Sequence, residues 1–310
     1  MSISKDISSR FWNLPKKAEE ETARERTFID DIIQKAHIER LLLENLSGIR
    51  TVFDGGAGYG RFSILLASMG IHVTHFDISL PMIEKAKALA EEKGAAANMT
   101  FVHGSLEDLS AYGDRQFDLV MSLDAPVSYT YPNHEDVLGN LTRICASRLV
   151  ISVYSRLAWT YLFDPAQKLK YILDKESSDP LVRWTLDHAV NQLAGYSPDM
   201  EAVNGFFKTG LMEAPSKTAA AYANGETPWP VSYTFMPDEL IAILNRCGAQ
   251  HVRLSGPGAL SRSIPGEVLE NIMRNDRLKR EFLDFCYLYD SNQWVAGMGK
   301  DNIVAVADVR

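Results

Sequence analysis

The 310 residues carry 40 acidic and 32 basic side chains, a formal charge of −8, and 46% of them are hydrophobic. That balance fits one large globular core, or a core with an insertion. It disfavours a nucleic-acid partner, which calls for a basic excess or stripe to neutralise phosphates. No apolar run approaches the roughly 18 residues needed to cross a bilayer, and the N-terminal segment lacks the apolar core of a secretory signal. A cytoplasmic protein with no membrane partner is expected.

The chain opens with a polar arm in which Phe11 and Trp12 stand out. Two readings stand, an anchor docking the arm on the core and a lid folding over a bound ligand. Residues 16–49 predict one or two helices, because Ile29, Ile32, Ile33, Ala36, Leu41, Leu42 and Leu46 recur at three- and four-residue spacings before Gly48 stops the segment. The charged stretches KKAEEETARER and MRNDRLKREF mix both signs and read as solvated helix faces.

From residue 51 the pattern alternates. Strands are expected over 51–53, 71–76, 99–102, 117–122 and 148–154, with helices over 61–69, 81–93 and 134–146 between them. Such alternation predicts parallel βαβ units with right-handed crossovers. Ligands in these sheets sit outside the carboxyl ends of the strands, which is where Asp54, Asp77, Ser105 and Asp124 fall. The rhythm then breaks for about 75 residues that are aromatic-rich and too apolar for a linker, so a helical lid or substrate cap is expected. It returns with a helix over 237–247, a strand over 251–255, a helical stretch over 265–290 and a strand over 302–309. Four regions result: an N-terminal helical arm or cap (1–49), a core (50–154), a lid insertion (155–230) and a segment completing the sheet (231–310).

The chemistry is concentrated in VFDGGAGYGRFS at 52–63. Gly56, Gly58 and Gly60 form a G-x-G-x-G turn between strand and helix, flanking Ala57. The first two let backbone pass close to a ligand, and the third lets the helix start tight against the sheet. The spacing stops short of the G-x-x-G that a dinucleotide pyrophosphate wants at a helix N-terminus. Asp54 would repel a diphosphate and favour a ligand bearing an ammonium and a sulfonium. Asp77, closing the next strand, can accept both ribose hydroxyls; its competing role as a helix cap falls better to Ser79.

With these motifs in order, residues 50–154, 231–258 and 301–309 resemble the class I S-adenosylmethionine (SAM) dependent methyltransferase family, over about half of the chain. The resemblance implies a Rossmann-like α/β fold, a seven-stranded mostly parallel sheet of order 3-2-1-4-5-7-6 whose last strand is antiparallel, with helices on both faces. It implies S-adenosyl-L-methionine as cofactor, with its methionine part on Asp54, Gly56, Ala57 and Gly58 and its ribose on Asp77. Ile78 and Met82 would pack on the adenine. Where the family offers an Asp to the adenine amino group this chain has Ser105, so Leu106 or Glu107 would take that part. FDLVMSLDAPVSY places Leu123 and Asp124 near the transferring methyl.

In-line methyl transfer relies on positioning and desolvation, and needs a base only if the nucleophile must lose a proton. Tyr129, His134 and Tyr154 are the candidate catalytic residues, with Tyr131 and Tyr161 also near the expected mouth; each is also readable as aromatic wall. Cys145, Cys247 and Cys286 lack metal or disulfide spacing and read as buried free thiols, and no metal site is expected. The leading expectation is methylation of a small-molecule acceptor. The same motifs also fit cyclisation of the SAM side chain with release of methylthioadenosine, or a SAM-binding protein without catalysis; a dehydrogenase fits less well.

Overall fold

Strand β1 (Thr51–Gly55) buries Val52 completely on one face of the sheet and Phe53 completely on the other. A strand apolar on both faces belongs in the middle of a sheet covered on both sides. A computed structural model describes residues 3–158 and 200–310 and places it there.

The strands following β1 are β2 (His72–Asp77), β3 (Met99–His103), β4 (Phe117–Ser122), β5 (Cys145–Tyr154), β6 (Ala249–Ser255) and β7 (Asn302–Val309). They form one sheet in the order β3-β2-β1-β4-β5-β7-β6. The first five pair in parallel, and β7 runs antiparallel to both β5 and β6. Between them lie α4 (Arg61–Ser68), α5 (Leu80–Glu92) and α6 (His134–Ile144).

Period-two alternation divides the core. Phe53, Val120 and Ile151 face a cluster with Leu138 and Leu141 of α6 and Leu240 and Leu244 of a later helix. Val52, Leu119, Met121 and Val150 face one with Phe62 and Leu66 of α4 and Ile38 and Leu42 from the N-terminal region. Phe53 alone meets Phe76, Tyr112 and Phe117 at ring-centroid distances of 5.1–5.3 Å.

Three helices precede the sheet: α1 (Ile3–Trp12), α2 (Lys17–Thr27) and α3 (Ile29–Glu44). The first lies within the expected helical arm (1–49), in a segment so polar that no helix bounds were read there. It forms because Ile7 and Phe11, one turn apart, share a buried face, with Ser8 buried beside them and Arg10 exposed. Beyond β5, the expected lid falls largely on residues outside the described ones; its described end contributes α7 (Met200–Thr209) and α8 (Pro215–Ala223). Then come α9 (Pro237–Arg246), α10 (Gly266–Met273) and α11 (Asp276–Asp290).

The single helical stretch expected over 265–290 is broken. Asn275 leaves helical geometry, and its side chain accepts hydrogen bonds from Arg277 N and Leu278 N to start α11. Helix α3 packs against α10 and α11 through Ile33, Leu269 and Cys286, which joins the two ends of the chain. Cys145 and Cys286 are buried and Cys247 half-buried, all three as free thiols. Among the described residues no group of His, Cys, Asp and Glu could hold a metal ion, and no helix is long and apolar enough to cross a membrane.

Candidate functional site

A cleft opens outside the carboxyl ends of β1, β2 and β4, floored by the glycine turn. Gly56 N and Ala57 N donate to Phe76 O at 2.8 and 3.2 Å, which stitches the turn to the end of β2. Gly56 has φ +74°, and a Cβ there would stand 2.4 Å from Pro126, so a side chain is excluded both by backbone conformation and by contact. Gly60 has φ +84° and begins α4, where a Cβ would reach Ala86 of α5 at 3.0 Å. The third glycine thus serves the packing of two helices.

Asp77 is buried at the end of β2, and its carboxylate fixes two loops. Oδ2 accepts from Gly58 N at 2.8 Å, and Oδ1 from Ser79 N at 2.7 Å. Burial raises its pKa while these backbone donors oppose the shift. A carboxylate has roughly four lone-pair sites, so two engaged donors leave room for ligand hydroxyls. Ser79 is the N-cap of α5, accepting from Met82 N at 3.3 Å.

Asp54 lies deeper, 3% exposed, and accepts from Ser63 Oγ at 2.6 Å. Ser63 also meets His75 Nδ1 at 3.2 Å. Burial, with the nearby Asp77 charge adding and the Ser63 bond opposing, pushes the Asp54 carboxyl up to about 7; burial also brings His75 down to about 4.

The far wall follows β4. Leu123 is buried, and Asp124 and Ala125 both take φ +65°, a left-handed pair of non-glycine residues. Asp124 forms an ion pair with Lys35 of α3, whose ammonium lies 5.5 Å from the centre of the Phe62 ring. Beyond them the Tyr129 and Tyr154 hydroxyls are 2.5 Å apart. Burial holds both phenols well above their ordinary pKa, so both stay protonated.

The arm closes the top. Trp12 packs edge-on against Tyr129 at 5.4 Å and lies 6.3 Å from Trp229, which meets Phe11 at 4.7 Å. Trp12 O accepts from Ser79 Oγ at 2.7 Å. Asn13 brackets the same turn, donating to Ile78 O at 3.2 Å and accepting from Leu80 N at 3.0 Å. Seven carboxylate side chains line the cleft against four basic ones, so its field suits a cationic ligand.

The structure gathers Asp54, Gly56, Ala57, Gly58, Asp77, Ile78, Met82, Ser105, Leu106, Glu107, Leu123, Tyr129 and Tyr154 around this one cleft. Ser105 Oγ accepts from Glu107 N, and Glu107 accepts from Asn133 Nδ2 at 3.1 Å. His134 is not among them. At the start of α6 it is stacked on Tyr233 at 4.1 Å, and burial lowers its pKa. Tyr161 lies outside the described residues.

Sequence reasoning missed Lys35, Asp31 and Gln34 of α3, Trp229, and Asn302 at the start of β7. It also read KKAEEETARER as wholly solvated, whereas Glu21 and Arg24 line the cleft and Arg24 pairs with Asp31 at 3.3 Å. The available signal was the run of polar residues on the inner side of an otherwise apolar helix. Asp31, Gln34 and Lys35 sit beside Ile33 and Ile38, and all are buried.

Residues 52–148 match a family model described as a methyltransferase domain. The tRNA 5-carboxymethoxyuridine methyltransferase of Escherichia coli (strain K12) is 34% identical over 84 residues, which is 27% of this chain and 32% of that protein. The magnesium-protoporphyrin O-methyltransferase of Rhodobacter capsulatus is 27% identical over 214 residues, 66% of this chain and 90% of the relative. The chain therefore spans about a third of the first curated relatives it matches. Among solved structures, phosphoethanolamine N-methyltransferase 2 of Haemonchus contortus, in complex with S-adenosyl-L-methionine, superposes with a TM-score of 0.54 at 14% identity, over 100% of this chain and 60% of that one. Magnesium protoporphyrin IX methyltransferase of Synechocystis PCC 6803, with bound SAH, gives 0.51 at 15% identity over 99% and 100%. At these identities the likeness is one of fold.

Proposed function

We propose that this chain is a class I SAM-dependent methyltransferase, in line with the methyltransferase-domain match over residues 52–148, and that it uses S-adenosyl-L-methionine to methylate a small-molecule acceptor. The observation that carries the reading is the buried Asp77 carboxylate, tied to the glycine turn within an acidic, aromatic-walled cleft.

The residues present fit such a ligand. Two buried carboxylates, Asp54 and Asp77, suit a nucleoside bearing positive charge and ribose hydroxyls and oppose a diphosphate. Asp54 and the Gly56–Ala57–Gly58 turn would hold the amino-acid part, Asp77 the ribose, and Ile78, Met82 and Leu106 the adenine, with Ser105 and Glu107 at its polar edge. When bound, the cofactor supplies a methyl carbon already activated by positive sulfur.

Leu123 and the backbone after it shape the wall opposite the glycine turn. Trp12, Tyr129, Tyr154 and Trp229 exclude water and offer ring faces to positive charge, a contact worth about 1 kcal/mol or more once desolvated. Tyr129 and Tyr154 share one hydrogen bond and keep their protons. Their part is to orient and enclose an acceptor, and proton removal is not assigned to them or to His134. Acceleration then comes from alignment and desolvation.

A small acceptor is favoured because α1, α3 and Trp229 wall the cleft and the chain has no basic excess. The test is incubation with SAM and a metabolite extract, with both products identified by mass. S-adenosylhomocysteine together with a metabolite gaining one methyl group is expected. Methylthioadenosine would contradict methyl transfer and indicate cyclisation of the SAM side chain; SAM recovered unchanged would contradict catalysis.

A further inference from the structure

Two buried side-chain oxygens on residues lining the cleft, Asp31 Oδ2 and Asn302 Oδ1, meet no hydrogen-bond donor. Their residues are 2% and 3% exposed. About nine in ten buried polar groups in folded proteins find a partner, so this pair awaits donors from a ligand. Both stand at the entry to β7. Asn302 opens that strand directly across from Tyr154 at the end of β5, and Asp31 Oδ1 pairs with Lys300, two residues earlier in the chain. The nucleoside is assigned to the ends of β1 and β2, and the sheet continues from β1 through β4 to β5 and β7. In-line displacement puts the acceptor beyond the methyl, on the side away from sulfur. The two oxygens thus lie on the acceptor's side of the cleft, apart from the residues given to the cofactor.

Which acceptor they suit follows from counting donors. A primary amine brings two N–H groups and one lone pair, whereas a hydroxyl brings one O–H. A hydroxyl also has to lose its proton to a base, and the cleft is poor in bases. Among the described residues no histidine or cysteine lines it, and burial keeps the Tyr129 and Tyr154 phenols protonated. Asp54 is engaged by Ser63 at the end of β1, on the cofactor's side. Burial works against the charge of Asp31, but Lys300 and Arg24 outweigh it and hold that carboxyl below its ordinary range. Asp31 is then a weak base and a lasting negative charge. A neutral amine needs no base before attack, and it gains positive charge as it reacts. A fixed carboxylate beside it favours that change.

We propose that the methyl acceptor is a primary amine whose two N–H groups donate to Asp31 Oδ2 and Asn302 Oδ1, which turns its lone pair toward the transferring methyl. This rests on reading the cleft as a SAM site. The lone pair forms the N–C bond while the C–S bonding pair returns to sulfur, so sulfur loses its positive charge and nitrogen gains it. The product leaves as a methylammonium and gives its extra proton to water.

The test uses the full chain, SAM labelled with carbon-13 in its methyl group, and a metabolite extract. The label is expected on nitrogen, read from the carbon-13 shift and the mass of the product. Label on oxygen, carbon or sulfur of an acceptor would overturn the amine while leaving methyl transfer intact. Label kept in SAM, or released in methylthioadenosine, would overturn the functional reading and the amine with it. The parent amine of the labelled product is then titrated calorimetrically into protein saturated with S-adenosylhomocysteine. Asp31→Asn and Asn302→Leu should each weaken the amine tenfold or more and hold S-adenosylhomocysteine affinity within twofold. Asn302→Leu disturbs no ion pair, so it decides the matter if a thermal melt shows Asp31→Asn unfolded. Unchanged amine affinity in a folded variant, or S-adenosylhomocysteine weakened as much as the amine, would overturn the proposal.

Discussion

Deleting residues 1–15 removes the roof of the cleft and should weaken SAM binding. Three hydrogen bonds tie the arm to residues 78–80, from Ser79 Oγ to Trp12 O and between Asn13 and both Ile78 O and Leu80 N. Each is worth about 1 kcal/mol net, so about 3 kcal/mol holds the turn that follows Asp77. Only the share that keeps this turn in its binding geometry reaches the ligand. One bond's worth gives about fivefold in Kd, and all three give about a hundredfold. Loss of the Trp12 face adds to this, and Asn13→Ala, which removes two bonds and keeps Trp12, should fall between wild type and the deletion. Calorimetric titration with SAM measures the effect, and a thermal melt confirms that each variant is folded. A folded deletion variant binding SAM within twofold of wild type would refute the lid role and leave Phe11 and Trp12 as an anchor.

Other predictions concern the floor and walls. Gly56→Ala places a Cβ 2.4 Å from Pro126 at φ +74°; the left-handed conformation alone costs about 1–2 kcal/mol, so both melting temperature and SAM affinity should fall. Tyr154→Phe strips the partner from the buried Tyr129 hydroxyl, a loss of about 1–3 kcal/mol readable by denaturant unfolding. Since burial lifts the Asp54 carboxyl to about 7, the folded chain keeps a proton that the unfolded chain releases near pH 4. Stability should therefore fall as pH rises from about 4 to about 7 and level off above it, and Asp54→Asn should flatten the slope in melts taken across that range. Binding of a cation favours the ionised form, so SAM should release protons near pH 6.5, seen as an enthalpy that varies with the buffer.

The floor of the site was legible because its signals are local. A strand too apolar to be anything but central, three glycines at fixed offsets and an acid ending the next strand all lie within residues 52–77. The seven-stranded order came from the resemblance, and spacing alone would not have given it. What stayed hidden depends on contacts distant in sequence. Lys35 meets Asp124, Lys300 meets Asp31, and Trp229 returns beside Phe11 and Trp12. Helix α1, inside the expected helical arm, was given no bounds because Ile7 and Phe11 are the buried apolar side chains among its described ones, too few for periodicity to register. His134 was drawn in by its closeness in sequence to Tyr129 and Tyr131, yet it begins α6 and faces Tyr233. The break at Asn275 has a readable cause in hindsight, since asparagine is a preferred helix cap.

The central claim is that an acidic, glycine-floored cleft accepts a nucleoside carrying positive sulfur. Parallel calorimetric titration of the full chain with SAM and with a nicotinamide dinucleotide tests it most directly. The account predicts saturable heat with one SAM per chain and none with the dinucleotide. Heat from the dinucleotide and none from SAM would contradict it.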